Sequence, residues 1–154
     1  MSDKIHTTCN IISDSMTIKA KKIHKDAVIP KRKFPTDAGI DVYSLGNYMI
    51  EPHSHQIVKT GVTVEIPTNT VILVWPKSRA EFLIGAGVID SSYQGEILIK
   101  VFNTSNEKLK IEKGQGVAQL VVVPVVCFPV EEVDDIHIKK SERGETGGIA
   151  GNAK

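Results

Sequence analysis

Cysteine is rare in this chain. Cys9 and Cys127 lie far apart and outside any metal-ligand spacing, which points to reduced thiols in a cytosolic setting and not to a disulfide framework. Charge of one sign is also missing: 19 Lys and Arg stand against 18 Asp and Glu, for a formal net charge of +1. No field is available to hold a duplex nucleic acid or a membrane surface as main partner. The opening MSDKIHTTCNIISDSM contains no long apolar run, so neither a signal peptide nor a membrane anchor is expected. A sustained helical repeat is absent as well; only RAEF, after Ser78, is expected to hold about a turn of helix. At 154 residues the chain is long enough for one domain with a proper core. These absences together lead to the expectation of a soluble, cytoplasmic, single-domain protein.

What remains is β-like. Residues 1–16 read as a polar, mobile extension. From Thr17 onward, TIKAKKIH alternates, and a basic Lys31-Arg32-Lys33 run, best taken as a solvated strand end, leads to a break at Pro35-Thr36-Asp37. GVTVEIP (61–67), VILVWP (71–76), KLKIEK (108–113) and VAQLVVVPVV (117–126) are further strands, short and rich in Val and Ile. Gly, Pro, Asn and Ser separate them at roughly regular intervals, the pattern of an all-β barrel or sandwich. VVVPVV is apolar on both faces, which predicts burial between layers or against another subunit. Pro124 and Pro129 limit ladder pairing and mark an edge or crossing segment. The end, SERGETGGIAGNAK (141–154), is Gly-rich and without strand pattern, a flexible arm with no core of its own.

The chemistry concentrates in Gly85–Ile97, GAGVIDSSYQGEI. It reads as a hairpin: Val88-Ile89 leads in, Asp90-Ser91-Ser92 turns, and a strand-forming run from Ile97 leads out. Glycines at 85, 87 and 95 allow close approach to the backbone. The segment therefore offers a carboxylate, Asp90, an aromatic face, Tyr93, and accessible peptide groups within a few residues. Alone, this is also what an ordinary surface hairpin presents.

Its company gives it meaning. GVIDSSYQG resembles the third motif of the trimeric dUTP diphosphatases, G-V-I-D-x-x-Y-x-G, and related motifs follow in family order from about residue 17 to the end. DAGIDVYS (37–44) resembles A-G-x-D-L, with Val42 for Leu. WPKSR (75–79) stands where the family has P-R-S-G: Ser78 matches, Lys77 replaces the arginine, and Arg79 replaces the small residue. GQGVAQL (114–120) resembles G-x-R-x-A-Q, with Gly116 in place of the arginine. RGETGGIAG (143–151) resembles R-G-x-x-G-F-G-S-T-G, with Gly148 where the base-stacking aromatic belongs and Ile149 beside it.

The resemblance implies a jelly-roll-like β fold, assembled as a homotrimer with exchange of C-terminal arms, that hydrolyses dUTP to dUMP and pyrophosphate. On this reading the backbone of Gly87, Val88, Ile89 and Leu98 forms the uracil-binding strands, with Gly87, Val88 and Leu98 pairing to the base edge. Bonds aimed at N3–H and O4 reject cytosine. Tyr93 lies against the deoxyribose and excludes a 2′-hydroxyl, and Asp90 holds and deprotonates the attacking water. Lys77, Ser78, Arg79, Gln119 and, from the arm, Arg143, Gly147 and Ile149 bind the nucleotide. Asp41 holds Mg²⁺ through water, since Mg²⁺ keeps much of its hydration shell. The domain plan is an extension (1–16), a β domain (17–140) and an arm (141–154). The alternative is a dUTPase-like nucleotide-binding or regulatory protein with weakened catalysis and a regulatory protein partner. A related dCTP deaminase is disfavoured, because its G-F-x-G-x-x-T-L-E pattern meets Tyr93 and Lys100 here.

Overall fold

The computed structural model describes residues 17–134, so the expectations for the extension (1–16) and the arm, including Arg143, Gly147 and Ile149, lie outside the described residues. Alternating Val and Ile patterns become eleven short strands: β1 (Lys19–Lys22), β2 (Ile40–Tyr43), β3 (Tyr48–Ile50), β4 (His55–Lys59), β5 (Val62–Glu65), β6 (Thr70–Trp75), β7 (Leu83–Ile84), β8 (Gly87–Asp90), β9 (Leu98–Phe102), β10 (Leu109–Ile111) and β11 (Gly116–Pro124). Among the described residues there is no helix. The helical turn expected at RAEF is instead a tight turn closed by the Ala80 N–H donating to the Lys77 carbonyl at 3.1 Å.

All pairing is antiparallel. One sheet has the order β2-β11-β6-β8 and a second β4-β9-β7, while β1-β5 and β3-β10 form two-stranded ribbons. Period-two alternation turns Ile40 and Val42, Ile72 and Val74, Ile99 and Val101, and Val62 and Val64 inward, where they join Val58, Ile111, Val117 and Leu120 in one contiguous core. The long β11 sits between β2 and β6, with a bulge between Gly116 and Ala118 adjusting its register against β2. Val121, Val122 and Val123 are only half-buried and Val126 is exposed, so the described residues do not bury VVVPVV on both faces. Pro124 is its last residue, as a missing N–H requires. Beyond it the chain leaves the sheet with its apolar side chains uncovered: Phe128 is 80 % exposed and Val130 99 %.

The hairpin expected at residues 85–97 is corrected in one respect. Asp90 does open a turn, with the Tyr93 N–H donating to its carbonyl at 3.0 Å. The two arms, however, do not pair with each other. β8 pairs with β6 in one sheet, and β9 with β4 and β7 in the other. Local sequence predicts the turn, but ladder partners far along the chain compete for both arms and pull them apart. Three strands that local patterning does not announce are β3, β4 and β7, the last two of which take part in this competition as partners of β9; HQIVK in β4 has a single buried residue, Val58.

One buried polar group holds the far end of the core. The Asn103 side-chain amide donates to the carbonyls of Ile50, Glu51 and Glu107 at 3.0, 3.2 and 2.7 Å. Its oxygen accepts from the Ser105 N–H and hydroxyl at 3.0 and 2.8 Å. Satisfying a buried amide this completely is what makes its burial tolerable.

Candidate active site

Where the arms of β8 and β9 part, a slot of about 240 Å³ opens, lined by Val74, Gly87, Val88, Ile89, Tyr93, Glu96, Ile97 and Leu98. β8 has one ladder neighbour, β6, so its other edge faces this slot with main-chain donors and acceptors unclaimed by a ladder. β9 has its second neighbour only at its far end, where β7 pairs with Val101 and Phe102, so Leu98 presents an open edge too. Gly87 packs against Val74, with any Cβ there 3.3 Å from a Val74 methyl. Four expected residues, Gly87, Val88, Ile89 and Leu98, are thus brought together around one cavity.

The floor of the slot is held from below by the turn between β4 and β5. The Thr60 hydroxyl donates to the Ile97 carbonyl at 2.7 Å, and the Thr63 hydroxyl to the Gln94 carbonyl at 3.0 Å. The Ile97 N–H reaches the Val62 carbonyl at 2.9 Å, and the Gly61 N–H donates to the Glu96 carboxylate at 2.8 Å. Gly61 has φ +68°, a conformation in which side chains are strained, and a Cβ there would also meet Ala27. Thr60 and Glu96 are not legible in the sequence, because they lie 36 residues apart and nothing in either neighbourhood names the other.

Tyr93 covers the slot's rim. Its hydroxyl donates to the Glu96 carbonyl at 2.9 Å, and its ring lies where a Cβ on Gly95 would stand. The residue is 45 % exposed, which leaves a face free for a ligand. Asp90 ends β8 with its side chain exposed, and it makes no ion pair or side-chain hydrogen bond among the described residues. A carboxylate placed this way can accept a proton from water.

The remaining expected residues gather elsewhere. Asp41 on β2, Gln119 on β11 and Trp75 on β6 are in register, and therefore side by side on one sheet face. The Gln119 amide donates to the Pro76 carbonyl at 2.9 Å. Its oxygen fills the place of the absent Gly39 side chain, which is the physical reason for glycine in DAGID. Lys77 pairs with Asp41, both side chains about a quarter to a third exposed. Ser78 and Arg79 follow, exposed, in the turn after β6. Tyr43, on the same strand as Asp41, has its phenol pushed above the usual range by burial and then by the Asp41 charge. Trp75 is not among the expected site residues; period two from Leu73 places its exposed side chain on this face beside Gln119.

These two groups do not meet within one chain. Asp90 pairs with Val71 at the start of β6, whereas Trp75 and Gln119 pair at its end. Four residues along the strands and three strands across give a separation on the order of 20 Å between Asp90 and Asp41. Among the described residues no cluster of three or more His, Cys, Asp or Glu could hold a metal by itself. Asp41 alone fits a hydrated cation that takes most of its ligands from water and substrate oxygens.

Comparison with known proteins gives one answer. The dUTPase family pattern matches residues 25–150. A deoxyuridine 5′-triphosphate nucleotidohydrolase of Clostridium tetani is 34 % identical over 90 % of this chain and 97 % of its own length. That of Clostridioides difficile is 36 % identical over 84 % and 94 %. Among solved structures, a variant of the Staphylococcus bacteriophage 80alpha dUTPase with dUpNHpp superimposes with a TM-score of 0.75 at 31 % identity, covering 86 % of this chain and 96 % of that one. The 80alpha dUTPase is one of the phage dUTPases described as controlling transfer of virulence genes by a G protein-like mechanism. A variant of the phage phi11 enzyme, described with a structural Mg(II) ion, reaches 0.73 at 25 % identity, covering 79 % and 99 %.

Proposed function

The chain belongs to the dUTPase family, and we propose that it hydrolyses dUTP to dUMP and pyrophosphate with Asp90 activating the attacking water. The observation that carries this reading is the slot itself. Two strand edges with open main-chain groups face each other across a cavity of about 240 Å³, and an unpaired carboxylate stands at the end of one of them. Main-chain N–H and C=O groups of Gly87, Val88 and Leu98 read the uracil edge, and a cytosine would leave them unpaired. Tyr93, fixed by its bond to Glu96, packs on the deoxyribose and leaves no room for a 2′-hydroxyl. Asp90 takes the proton of a water aimed at the α-phosphorus, and pyrophosphate leaves in line.

The phosphate chain needs the other group, and its distance of about 20 Å from Asp90 supports a site completed by a second copy. In the homotrimer the slot of one protomer meets Ser78, Arg79, Lys77, Gln119 and Asp41 of the next. The arm carrying Arg143, Gly147 and Ile149 comes from the third. Exposed Phe128 and Val130, on the segment leading to the arm, support an arm that finds its cover on a neighbour. Mg²⁺, when bound, is held through water by Asp41 and offsets charge on the phosphate oxygens.

Pyrophosphate release from dUTP, dCTP, dTTP and UTP tests the proposal. Selective release from dUTP is expected, and Asp90→Asn should lose about 10²–10⁴-fold, the range for a removed general base. Equal release from dCTP, or an unaffected variant, would overturn it. A second reading, a nucleotide-dependent regulator with weakened catalysis, is favoured by the likeness to the 80alpha protein and by the changed Lys77 and Gly116. Tight dUpNHpp binding without turnover is its signature.

A further inference from the structure

The Lys77 ammonium occupies the carboxylate that the proposed function reserves for a hydrated metal. The path of the Lys77 stem runs over Gly116. A Cβ at 116 would lie 3.4 Å from Cε, 3.5 Å from Cδ and 3.6 Å from Nζ, so a longer side chain there would contest the stem's position. A Cβ alone would make ordinary contact with the stem, so only a bulkier side chain at 116 would press on the lysine that reaches Asp41. Lys77 also lines a cleft of about 190 Å³ with Arg79, Glu81, Lys110 and Gln115, so charged and polar groups of both signs stand near it. With 31 % of Lys77 and 25 % of Asp41 exposed, the pair sits at the water's edge. A pair in that position is inexpensive to separate.

We propose that Lys77 is an exchangeable counter-cation: it neutralises Asp41 in the absence of ligand and moves to the phosphate oxygens when metal and nucleotide arrive. This rests on the dUTPase reading of the same site. Two consequences have opposite signs. Lys77 competes with a divalent cation for Asp41, so its removal tightens metal binding. Lys77 also supplies a positive charge to the triphosphate, so its removal weakens nucleotide binding without metal. A lysine that only braces the fold has no reason to split the two effects.

The test uses the full-length protein and its Lys77→Met variant, which keeps an apolar stem. Binding of Mn²⁺ alone is followed by electron paramagnetic resonance at millimolar concentrations, and dUpNHpp binding by calorimetry in EDTA. Lys77→Met should bind Mn²⁺ about fivefold tighter and dUpNHpp about fivefold more weakly, the scale of a part-exposed ion pair. In an Asp41→Asn background the Mn²⁺ gain should vanish. Gly116→Val, which leaves the ammonium present but crowds its stem, should reproduce the Mn²⁺ gain and reports on the same pair if Lys77→Met folds poorly. Unchanged or weaker Mn²⁺ binding in both variants would overturn the proposal and make the pair a fixed brace. A wild-type protein that does not bind dUpNHpp even with Mg²⁺ would overturn the dUTPase reading as well, so the two failures are told apart.

Discussion

The two ends of the four-stranded sheet carry one carboxylate each, and the two are treated differently. Asp41, at the β2-β11 end, is partly buried, paired with Lys77, and set beside Gln119 with Gly39 beneath it. Asp90, at the β8 end, is exposed and makes no ion pair among the described residues. A carboxylate already paired with a cation has its charge balanced, and a second cation has to displace the first. One left in water beside a slot keeps its lone pairs for a proton. Under the proposed function the charge-balancing and proton-accepting roles fall at opposite ends of one sheet, and hence in different copies of the proposed trimer.

The comparison breaks most visibly at Asp90. Its conversion to Asn, at about 10²–10⁴-fold in turnover, should far exceed any single change at the Asp41 end, and a steady-state assay with dUTP decides it. Next comes the rim of the slot. Gly95→Ala places a methyl group where the Tyr93 ring now lies, so the ring must swing away from the place proposed for the deoxyribose. Discrimination between dUTP and UTP should fall about tenfold, read as the ratio of kcat/KM values, while the circular dichroism spectrum stays unchanged.

At the other end, Gly39→Val displaces the Gln119 amide from its bond to the Pro76 carbonyl. The amide is the mobile end of a side chain, so the fold should survive. The dUpNHpp affinity should weaken about fivefold, the worth of one hydrogen bond, with dUTP-over-UTP selectivity intact. Selectivity lost along with affinity would mean the two ends are not independent. The exchange experiment on Lys77 sharpens the same end further, by separating its metal role from its phosphate role.

The smallest effect is expected at a control position outside both ends. Asp26 accepts a hydrogen bond from Lys113 at 3.0 Å, and that bond, then the Lys113 charge, hold its carboxyl below the usual range. A depressed carboxylate contributes stability above its unfolded pKa and loses it as pH falls through the folded one. Asp26→Asn should therefore lower the melting temperature slightly at neutral pH, and the difference from the wild type should close in acid below the depressed pKa. A difference that persists at low pH would show that something other than the ion pair is lost.

Much of the site is legible in the amino-acid sequence. Tyr93, Gly87 and Leu98 line one slot, Asp90 ends the strand that forms one side of it, and Asp41, Lys77 and Gln119 fall together at the other end of the sheet. The all-β class follows from short Val- and Ile-rich runs between turn residues. What does not follow is who pairs with whom. Gly85–Ile97 looks like a hairpin because turn chemistry is local, yet β8 and β9 answer to β6 and β4, partners that the local pattern does not name. The RAEF turn, the strand HQIVK and the bracing of the slot by Thr60 and Glu96 are hidden for the same reason.

The sequence by itself thus determined the β class, the turn at Asp90 and the identity of the chemical groups, because backbone preference and side-chain chemistry are properties of a few neighbouring residues. Only the tertiary structure decided that the arms of that turn part into a slot, that Lys77 lies on Asp41 across Gly116, and that the two carboxylates stand far apart in one chain. Those outcomes depend on ladder pairing between segments distant in sequence, where many near-equivalent strands compete and burial of the common core selects among them.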